Sequence, residues 1–286
     1  FVCMKAIADS GSTKCEWIFG NGDRILRLRT AGINAVQQSP DAIRAVLAEL
    51  PPLDGVEELR FYGAGCGDSF PEASAVLRRE LAARFGPGTA IGLGSDLLGA
   101  ARALFGRGEG IACILGTGSN SCHCRGGEIV ANVPPLGYVL GDEGSGAVLG
   151  RNLVNGIFKG MIPLREEFLH TFALTYAGLI RRVYREPAAN RFLASFAPFI
   201  RAHLDCAPVR EMVVRSFGEF AARNLSGYPA GLPVAFVGGV AAHFEEPLRE
   251  AMAAAGREVV RIVCSPAEEL WKYHGGESDY RAELGV

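Results

Sequence analysis

Two short segments rich in glycine and hydroxyl residues stand at equivalent positions in two runs of predicted strands. Residues 9–13 (Asp-Ser-Gly-Ser-Thr) join the first two strands of one run, and residues 116–120 (Gly-Thr-Gly-Ser-Asn) join the first two strands of the other. Each run continues into a third strand and then into alternating helices and strands. This is an internal repeat of topology rather than of sequence. The repeat predicts an α/β protein made of two similar lobes.

The spacing of apolar residues predicts the remaining elements. In the first lobe we expect strands over 3–8, 15–19, 25–31, 59–64 and 89–94, and helices over 41–50, 71–85 and 96–105. In the second we expect strands over 111–115, 121–125, 128–133, 233–237 and 259–264, and helices over 144–158, 176–185, 190–204, 209–225 and 246–255. We place the lobes at 1–108 and 109–264, with a helical insertion in the second. A short helix over 267–273, in the segment 265–276, is expected to return to the first lobe, before a polar tail from Glu277 that we expect to fray.

The composition excludes several classes of protein. The 286 residues are 49% hydrophobic and 21% charged, with a formal net charge of -2, so no basic field for nucleic acid exists. Apolar stretches such as 110–116 and 234–240 fall short of the roughly 20 residues that cross a bilayer. No secretion signal opens the sequence, and we expect a cytoplasmic protein that binds neither nucleic acid nor membrane.

The eight cysteines are scattered, and we interpret them as reduced core thiols rather than a disulfide scaffold. Cys122, His123 and Cys124 suggest a metal, but no further ligands at zinc-finger spacing accompany them. The sequence therefore does not support a structural zinc site.

Glycine and hydroxyl residues in a tight turn expose backbone N–H groups, which suits a phosphate oxygen at close approach. One such turn alone is more often an ordinary hairpin, whereas two equivalent turns favour a polyphosphate. The usual P-loop and dinucleotide fingerprints are both missing from the sequence. Asp9, beside the first turn, is a candidate for holding Mg²⁺ through water, and Lys14 is interpreted as a solvated strand residue.

Four segments resemble a known family. Residues 9–14 and 116–120 look like the two phosphate motifs of the superfamily of actin, hexokinase and the heat-shock chaperone ATPases, and residues 236–240 (Phe-Val-Gly-Gly-Val) look like its adenosine motif. Within that superfamily, residues 137–146 are similar to the signature of N-acetylglucosamine kinases and the related BadF/BadG/BcrA/BcrD ATPases. The resemblance implies a two-lobed actin-like ATPase, a ribonuclease H-like duplication in which each lobe has a mixed five-stranded sheet with flanking helices.

The resemblance also implies roles for individual residues. Asp96 matches the catalytic base that acts on the sugar hydroxyl. Sugar contacts are implied for Asn34, Asp96, Thr117, Gly118, Asn120, Gly137 and Asp142. Contacts with ATP and Mg²⁺ are implied for Asp9, Gly11, Ser12, Thr13, Gly116, Thr117, Gly118, Ser119, Gly238 and Gly239.

Plainer interpretations compete with some of these roles. Asp96 also suits a helix cap, Asn34 a turn residue, and Glu143 a solvated neighbour of the sugar site. These alternatives stay open at the level of sequence.

The implied activity is the ATP-dependent phosphorylation of an amino sugar, most simply N-acetylglucosamine at its 6-hydroxyl, and a homodimer is compatible with the family. One rival is an ATPase that activates a partner redox enzyme, but Cys66, Cys113, Cys122 and Cys124 form no convincing set for the iron–sulfur cluster of such proteins. A second rival is a non-catalytic sugar sensor, which commonly carries a DNA-binding module that finds no room here.

Overall fold

The computed structural model describes residues 4–21 and 24–275. The predicted start of the first strand at Cys3, residue 276 and the polar tail lie outside these residues. The strands are β1 (Met4–Ser10), β2 (Lys14–Gly20), β3 (Ile25–Ala31), β4 (Val56–Gly63), β5 (Ala90–Ser95), β6 (Glu109–Leu115), β7 (Ser119–Arg125), β8 (Glu128–Val133), β9 (Val234–Val237) and β10 (Val259–Val263).

The helices account for the rest of the regular structure in these residues. They are α1 (Pro40–Leu47), α2 (Pro71–Phe85), α3 (Asp96–Phe105), α4 (Gly137–Leu140), α5 (Gly146–Phe158), α6 (Arg165–Thr171), α7 (Tyr176–Tyr184), α8 (Ala189–Ala194), α9 (Ala197–Ala202), α10 (Ala207–Phe220), α11 (Gly239–His243), α12 (Glu245–Ala254) and α13 (Ala267–Tyr273). A single π-helical turn, Ala221–Leu225, continues α10. None of the helices in this described part of the chain combines the length and the apolar character needed to cross a bilayer.

The chain divides into two compact units. The first is formed by the described residues up to Gly108, by Gly126–Glu128 and by those from Ser265 onward. The second is formed by Glu109–Arg125 and Ile129–Cys264.

Each unit contains one five-stranded sheet, and the two sheets have the same strand order. The order is β3-β2-β1-β4-β5 in the first unit and β8-β7-β6-β9-β10 in the second. In both sheets the first strand pairs antiparallel with the second and parallel with the fourth, and the fourth and fifth are parallel. The duplication of a mixed five-stranded sheet expected from the sequence is thus confirmed.

The sheet of the first unit is covered on both faces because β2 alternates large apolar side chains. Trp17 and Phe19 point to one face, where they join a core with residues of α1 and α2. Ile18 points to the other face, where it packs with Leu270 and Trp271 of α13. The C-terminal helix is therefore part of the first unit's core.

Several predicted helices in the second unit have different bounds. The helix expected over 190–204 is interrupted between α8 and α9, because Pro198 has no N–H for the hydrogen bond that a continuous helix would require. The helix expected from 144 begins at Gly146, where Ser145 is the N-cap and its Oγ accepts the N–H of Val148 at 3.2 Å. Helices α4, α6 and α11 are short and lack a periodic signal in the sequence.

Candidate active site

The carboxyl ends of the parallel strands in the first unit meet at one edge of the sheet. Ser10 of β1 aligns with Gly63 of β4, which aligns with Ser95 of β5. Asp9 lies one residue before this edge, and Asp96 follows it directly at the start of α3. The two acids that the sequence singled out are therefore brought to the same edge, where open α/β sheets bind their ligands.

Asp96 is the first residue of α3, and the helix cap is its neighbour. The Oγ of Ser95 accepts the N–H of Leu98 at 3.1 Å, whereas Oδ1 of Asp96 accepts the adjacent N–H of Leu97 at 2.9 Å. Capping thus does not depend on Asp96 alone. Burial raises the pKa of Asp96, and the backbone N–H groups of Leu97 and Asp96 itself lower it in part.

The carboxyl group of Asp9 has a strongly raised pKa. Its pKa is raised to about 7, first by burial and then by the negative charges of Asp96 and Glu16, against the lowering effect of Lys14. Lys14 lies on β2 with a partly exposed side chain, as predicted, and its Nζ lies 2.6 Å from Oε1 of Glu16. This ion pair partly neutralises Glu16, so Asp96 is the charged neighbour with the larger effect on Asp9.

The two carboxylates of Asp9 and Asp96 at this edge fit a divalent cation. Carboxylate oxygen is a ligand that Mg²⁺ prefers, and Mg²⁺ commonly uses one or two carboxylates together with water and substrate phosphates. No group of three or more His, Cys, Asp or Glu side chains able to hold a metal occurs among the residues described. Asp9 therefore suits a cation that takes most of its ligands from water and phosphate.

The first glycine-rich turn rests on the segment that leaves β3. The N–H of Gly11 donates to the carbonyl of Lys14 at 3.0 Å and closes the turn. The Oγ of Ser10 accepts the N–H of Ile33 at 2.8 Å and donates to its carbonyl at 3.0 Å. The N–H of Gly32 donates to the carbonyl of Thr13 at 3.2 Å. These bonds hold the turn and the loop that carries Asn34 together.

Asn34 does have a turn role, as the plainer interpretation expected. Its Oδ1 accepts the N–H groups of Val36 at 3.1 Å and Gln37 at 3.2 Å, and its own N–H donates to Oε1 of Gln38 at 2.8 Å. The side-chain oxygen is thereby used within the turn. Any ligand of Asn34 would meet its Nδ2 donors.

In the second unit, the second glycine-rich turn is held by the amino end of α5. The N–H of Gly116 donates to the carbonyl of Gly118 at 2.9 Å. Gly146 and Ala147, the first residues of α5, donate their N–H groups to the carbonyls of Gly116 and Thr117 at 2.8 and 3.1 Å. With the carbonyls turned toward the helix, the backbone of the turn is rigidly placed.

The proposed adenosine motif contacts the strand that leads into this turn. Gly238 has φ 124° and lies so close to Leu115 that a Cβ added there would be 2.2 Å from the Leu115 carbonyl oxygen. Gly239 begins α11 directly after it. Residues 115–118 and 238–239 therefore share one edge of the second sheet.

Asp142 has its carboxylate against the same turn. Its Oδ1 accepts the N–H of Ser119 at 3.4 Å, and a Cβ added at Gly118 would lie 3.1 Å from its Oδ2. Its backbone is left-handed, with φ 53°, an uncommon conformation for a residue other than glycine. Burial and the charge of Glu143 raise the pKa of Asp142 to about 6, and the hydrogen bond from Ser119 lowers it in part.

Gly137, at the start of α4, also has a left-handed backbone, with φ 74°.

The side chain of Ser119 is buried without a partner: the residue is 6% exposed, and its Oγ has no hydrogen-bond partner within the described part of the chain. A buried hydroxyl of this kind is costly unless a ligand or water completes it.

The orientation of the Asn120 amide is fixed by its neighbours. Its Oδ1 accepts the backbone N–H of Ser121 at 2.9 Å and Nδ2 of Asn132 at 3.0 Å. Asn132 in turn donates to the carbonyl of Ser121 at 2.7 Å, so its own amide cannot be reversed. Asn120 is left with its Nδ2 donors to offer.

Four residues of this region were not predicted as part of a site. Asn132 gave no signal beyond its place in a strand. The interpretation of Glu143 as a solvated residue is wrong, because its side chain is 12% exposed and ion-paired with Arg223. Asn224 contacts the same carboxylate. Arg223 and Asn224 lie some 80 residues away in sequence, so spacing could not have revealed them.

The predicted residues thus fall into two groups. Asp9, Gly11, Ser12, Thr13, Asn34 and Asp96 belong to the first unit, and Gly116, Thr117, Gly118, Ser119, Asn120, Gly137, Asp142, Gly238 and Gly239 belong to the second.

No protein-family model matches the sequence, and no curated protein matches it significantly. Among solved structures, a protein from Porphyromonas gingivalis proposed to be an N-acetylglucosamine kinase is 43% identical, over 94% of this chain and 98% of that one, with a TM-score of 0.86. A second protein proposed to have that activity, from Chromobacterium violaceum, is 19% identical over 95% and 99% of the two chains, with a TM-score of 0.73.

A glucokinase of the ROK family from Streptomyces griseus is 16% identical, over 92% and 94% of the two chains, with a TM-score of 0.52. The last two structures show a likeness of fold. The expected actin-like ATPase fold is confirmed.

Proposed function

The chain belongs to the N-acetylglucosamine kinase and BadF/BadG/BcrA/BcrD ATPase family of the actin/hexokinase/heat-shock chaperone superfamily, and from this premise we propose that it is an ATP-dependent kinase that phosphorylates N-acetylglucosamine at the 6-hydroxyl. The observation that carries the proposal is the pair of acids at one sheet edge: Asp96 at the start of α3, and Asp9, whose pKa Asp96 helps to raise.

Asp96 is the proposed general base. Burial raises its pKa, which makes the carboxylate a stronger base. In the proposed reaction Asp96 accepts the proton of the 6-hydroxyl while that oxygen bonds to the γ-phosphorus, and the bond from this phosphorus to ADP breaks. Phosphoryl transfer asks the protein mainly for alignment and for neutralisation of charge, so one well-placed base suffices.

Asp9 is the proposed partner of Mg²⁺, through water. When bound, the ion neutralises phosphate charge in the transition state. Asp9 must be ionised to fill this role, and with a pKa of about 7 it is only partly ionised near neutral pH in the free protein. The backbone N–H groups and hydroxyls of residues 11–13 and 116–119 are proposed to contact the phosphates, and Gly238 and Gly239 the adenosine.

The sugar is proposed to be recognised by donors and acceptors of complementary kinds. Asn34 and Asn120 both use Oδ1 within the protein, which leaves their Nδ2 donors for a sugar oxygen. Asp142 offers a carboxylate, which accepts from hydroxyl groups. Thr117, Gly118 and Gly137 are proposed to complete the sugar site.

The experiment is a coupled assay of ADP release with Mg²⁺ and ATP over a panel of sugars: N-acetylglucosamine, glucosamine, N-acetylmannosamine, N-acetylmuramic acid and glucose. We expect turnover to depend on sugar and to be fastest with N-acetylglucosamine. The product is identified by phosphorus NMR as a 6-phosphate. ATP turnover independent of sugar would favour an activator ATPase, and sugar binding without turnover would favour a sensor.

A further inference from the structure

Glu143 is a nearly buried carboxylate beside the proposed sugar ligand Asp142. Its Oε1 lies 3.0 Å from Nη1 of Arg223, and its Oε2 accepts Nδ2 of Asn224 at 3.2 Å. Both oxygens are thus occupied by donors from another part of the chain. Glu143 is the buried member of the pair, so loss of its own charge or acceptors disturbs the site, whereas the exposed Arg223 can be replaced with less cost to the fold.

The two donors come from the π-helical turn Ala221–Leu225 at the end of α10. A π-helical turn is wider than an α-helical one, so neighbouring side chains diverge less around the axis. Arg223 and Asn224 are adjacent in sequence, yet they reach the two oxygens of one carboxylate. Such turns are rare, and they occur frequently at functional sites.

Asp142 needs support of this kind because of its conformation. Its left-handed backbone, φ 53°, is unfavourable for a residue other than glycine and persists only where the surroundings impose it. Upstream, the N–H of Asp142 donates to the carbonyl of Pro135 at 2.9 Å. Downstream, Glu143 is the next residue, and a Cβ added at Gly144 would lie 3.2 Å from Cβ of Phe220. The segment is therefore held against α10 immediately after Asp142.

We infer that Glu143, held by Arg223 and Asn224, is a positioning residue that keeps the Asp142 carboxylate in place to accept the sugar hydroxyls. We call these three residues the Glu143 clamp. The inference rests on the proposed function for the identity of the ligand. It assigns a role to a residue that the sequence alone suggested was solvated.

The clamp also has an electrostatic effect that a purely structural contact would lack. Burial is the main cause of the raised pKa of Asp142, and the negative charge of Glu143 raises it further. The other residues bonded to Asp142 are Ser119 in the turn at 116–119, Pro135, and Ser145 at the cap of α5, and none of these three carries a charge. Arg223, from the π-helical turn, is the cation paired with Glu143.

Two variants separate position from charge. Glu143→Gln removes the charge and one acceptor, and it is expected to raise the KM for sugar about tenfold, as expected for a ligand displaced by a fraction of an ångström. It should also move the acid limb of kcat/KM for sugar to lower pH, because the negative neighbour of Asp142 is gone.

Arg223→Gln loosens the clamp but keeps the Glu143 carboxylate. The KM for sugar should therefore rise, while the acid limb of kcat/KM does not move to lower pH. The KM for ATP should change less than twofold in both.

Arg210→Gln is the matched control, because Arg210 lies on α10 and pairs with Glu246 and Glu250 outside the clamp. Thermal unfolding of each variant checks that it is folded, and Arg223, whose side chain is 65% exposed, gives a substitution that the fold tolerates. Unchanged KM for sugar in both clamp variants of an active kinase would overturn the inference.

A titration of the free protein separates this inference from the proposed function. The carboxyl ¹³C signal of Asp142, assigned with Asp142→Asn, should titrate near pH 6 in the wild type and at lower pH in Glu143→Gln. A wild type that phosphorylates no sugar would defeat the proposed function while this titration still judges the clamp. An unaltered titration in Glu143→Gln would defeat the clamp while the kinase assay stands.

Discussion

Nδ2 of Asn132 lies 3.0 Å from Oδ1 of Asn120, and this contact decides which end of the Asn120 amide is offered to a ligand. The backbone N–H of Ser121 reaches the same oxygen. With Oδ1 satisfied twice, the amide presents donors and not an acceptor. The polarity of this part of the proposed sugar site is therefore set by a residue in the neighbouring strand β8.

Asn132→Ala should weaken sugar binding. One fixing hydrogen bond is worth about 1 kcal/mol, so the KM for sugar should rise roughly three- to tenfold while the KM for ATP stays within twofold. Initial-rate kinetics with each substrate varied measures both. Asn155→Ala, at an exposed position of α5, is the control. Equal changes in both KM values would argue against an orienting role.

Asp96→Asn should abolish transfer but keep nucleotide binding. Loss of a positioned base costs typically 10²- to 10⁴-fold in rate, whereas the side chain keeps its size and its hydrogen bond to Leu97. ADP release measures the rate, and calorimetry with the non-hydrolysable analogue AMPPNP measures binding. Asp54→Asn, in an exposed loop, is the control. Undiminished transfer would remove Asp96 from the role of base.

Asp9→Asn should stabilise the ligand-free protein, and increasingly so as pH rises. The folded pKa of about 7 exceeds the ordinary 3.8, so the stability linked to this proton is present below about pH 4 and is lost as pH rises through 7. The Tm of the variant should therefore exceed that of the wild type more at pH 8 than at pH 5. Differential scanning calorimetry at the two values measures it.

Mg²⁺ with ATP provides the second arm of this experiment. Added Mg-ATP should raise the Tm of the wild type more at pH 8 than at pH 6, because only ionised Asp9 suits the cation, and should raise that of Asp9→Asn less. A Tm difference between the two proteins that is the same at all pH values would contradict the assigned shift of Asp9.

Gly238→Ala should destabilise the second unit. The position combines φ 124° with a contact of 2.2 Å between an added Cβ and the Leu115 carbonyl, so we expect a loss of about 3 kcal/mol or more and weaker binding of ATP. Gly231→Ala is the matched control, since Gly231 has φ 79° and open space around it. That variant should lose only about 1 kcal/mol. Similar losses in urea unfolding would mean that backbone strain alone, and not close approach, matters at Gly238.

Much of the fold follows from local patterns in the sequence. Helices over 71–85, 96–105 and 267–273 have the predicted bounds, because each begins with a proline or a capping residue or has clear apolar spacing. Apolar spacing predicts one continuous helix over 190–204, and Pro198 accounts for the break between α8 and α9. The π-helical turn has no recognisable pattern in the sequence. Its role becomes visible only through the contacts of Arg223 and Asn224 with Glu143.

The site was predictable where it consists of local turns and not where it consists of contacts. Asp9 and Asp96 each stand at a strand end, and the parallel pairing of β1, β4 and β5 brings strand ends together. The surroundings of Glu143 and Asn120 depend on residues that the fold brings from elsewhere in the chain. Tertiary contacts of this kind leave no periodicity in the sequence.

The packing of α13 on the first unit has a consequence for synthesis. Residues 109–264 leave the ribosome before Leu270 and Trp271, which complete the apolar face around Ile18. The apolar face around Ile18 therefore stays uncovered until the end of the chain has been synthesised, although β2 is among the first segments to be made. A ribosome-bound intermediate that lacks α13 should expose this face to chaperones.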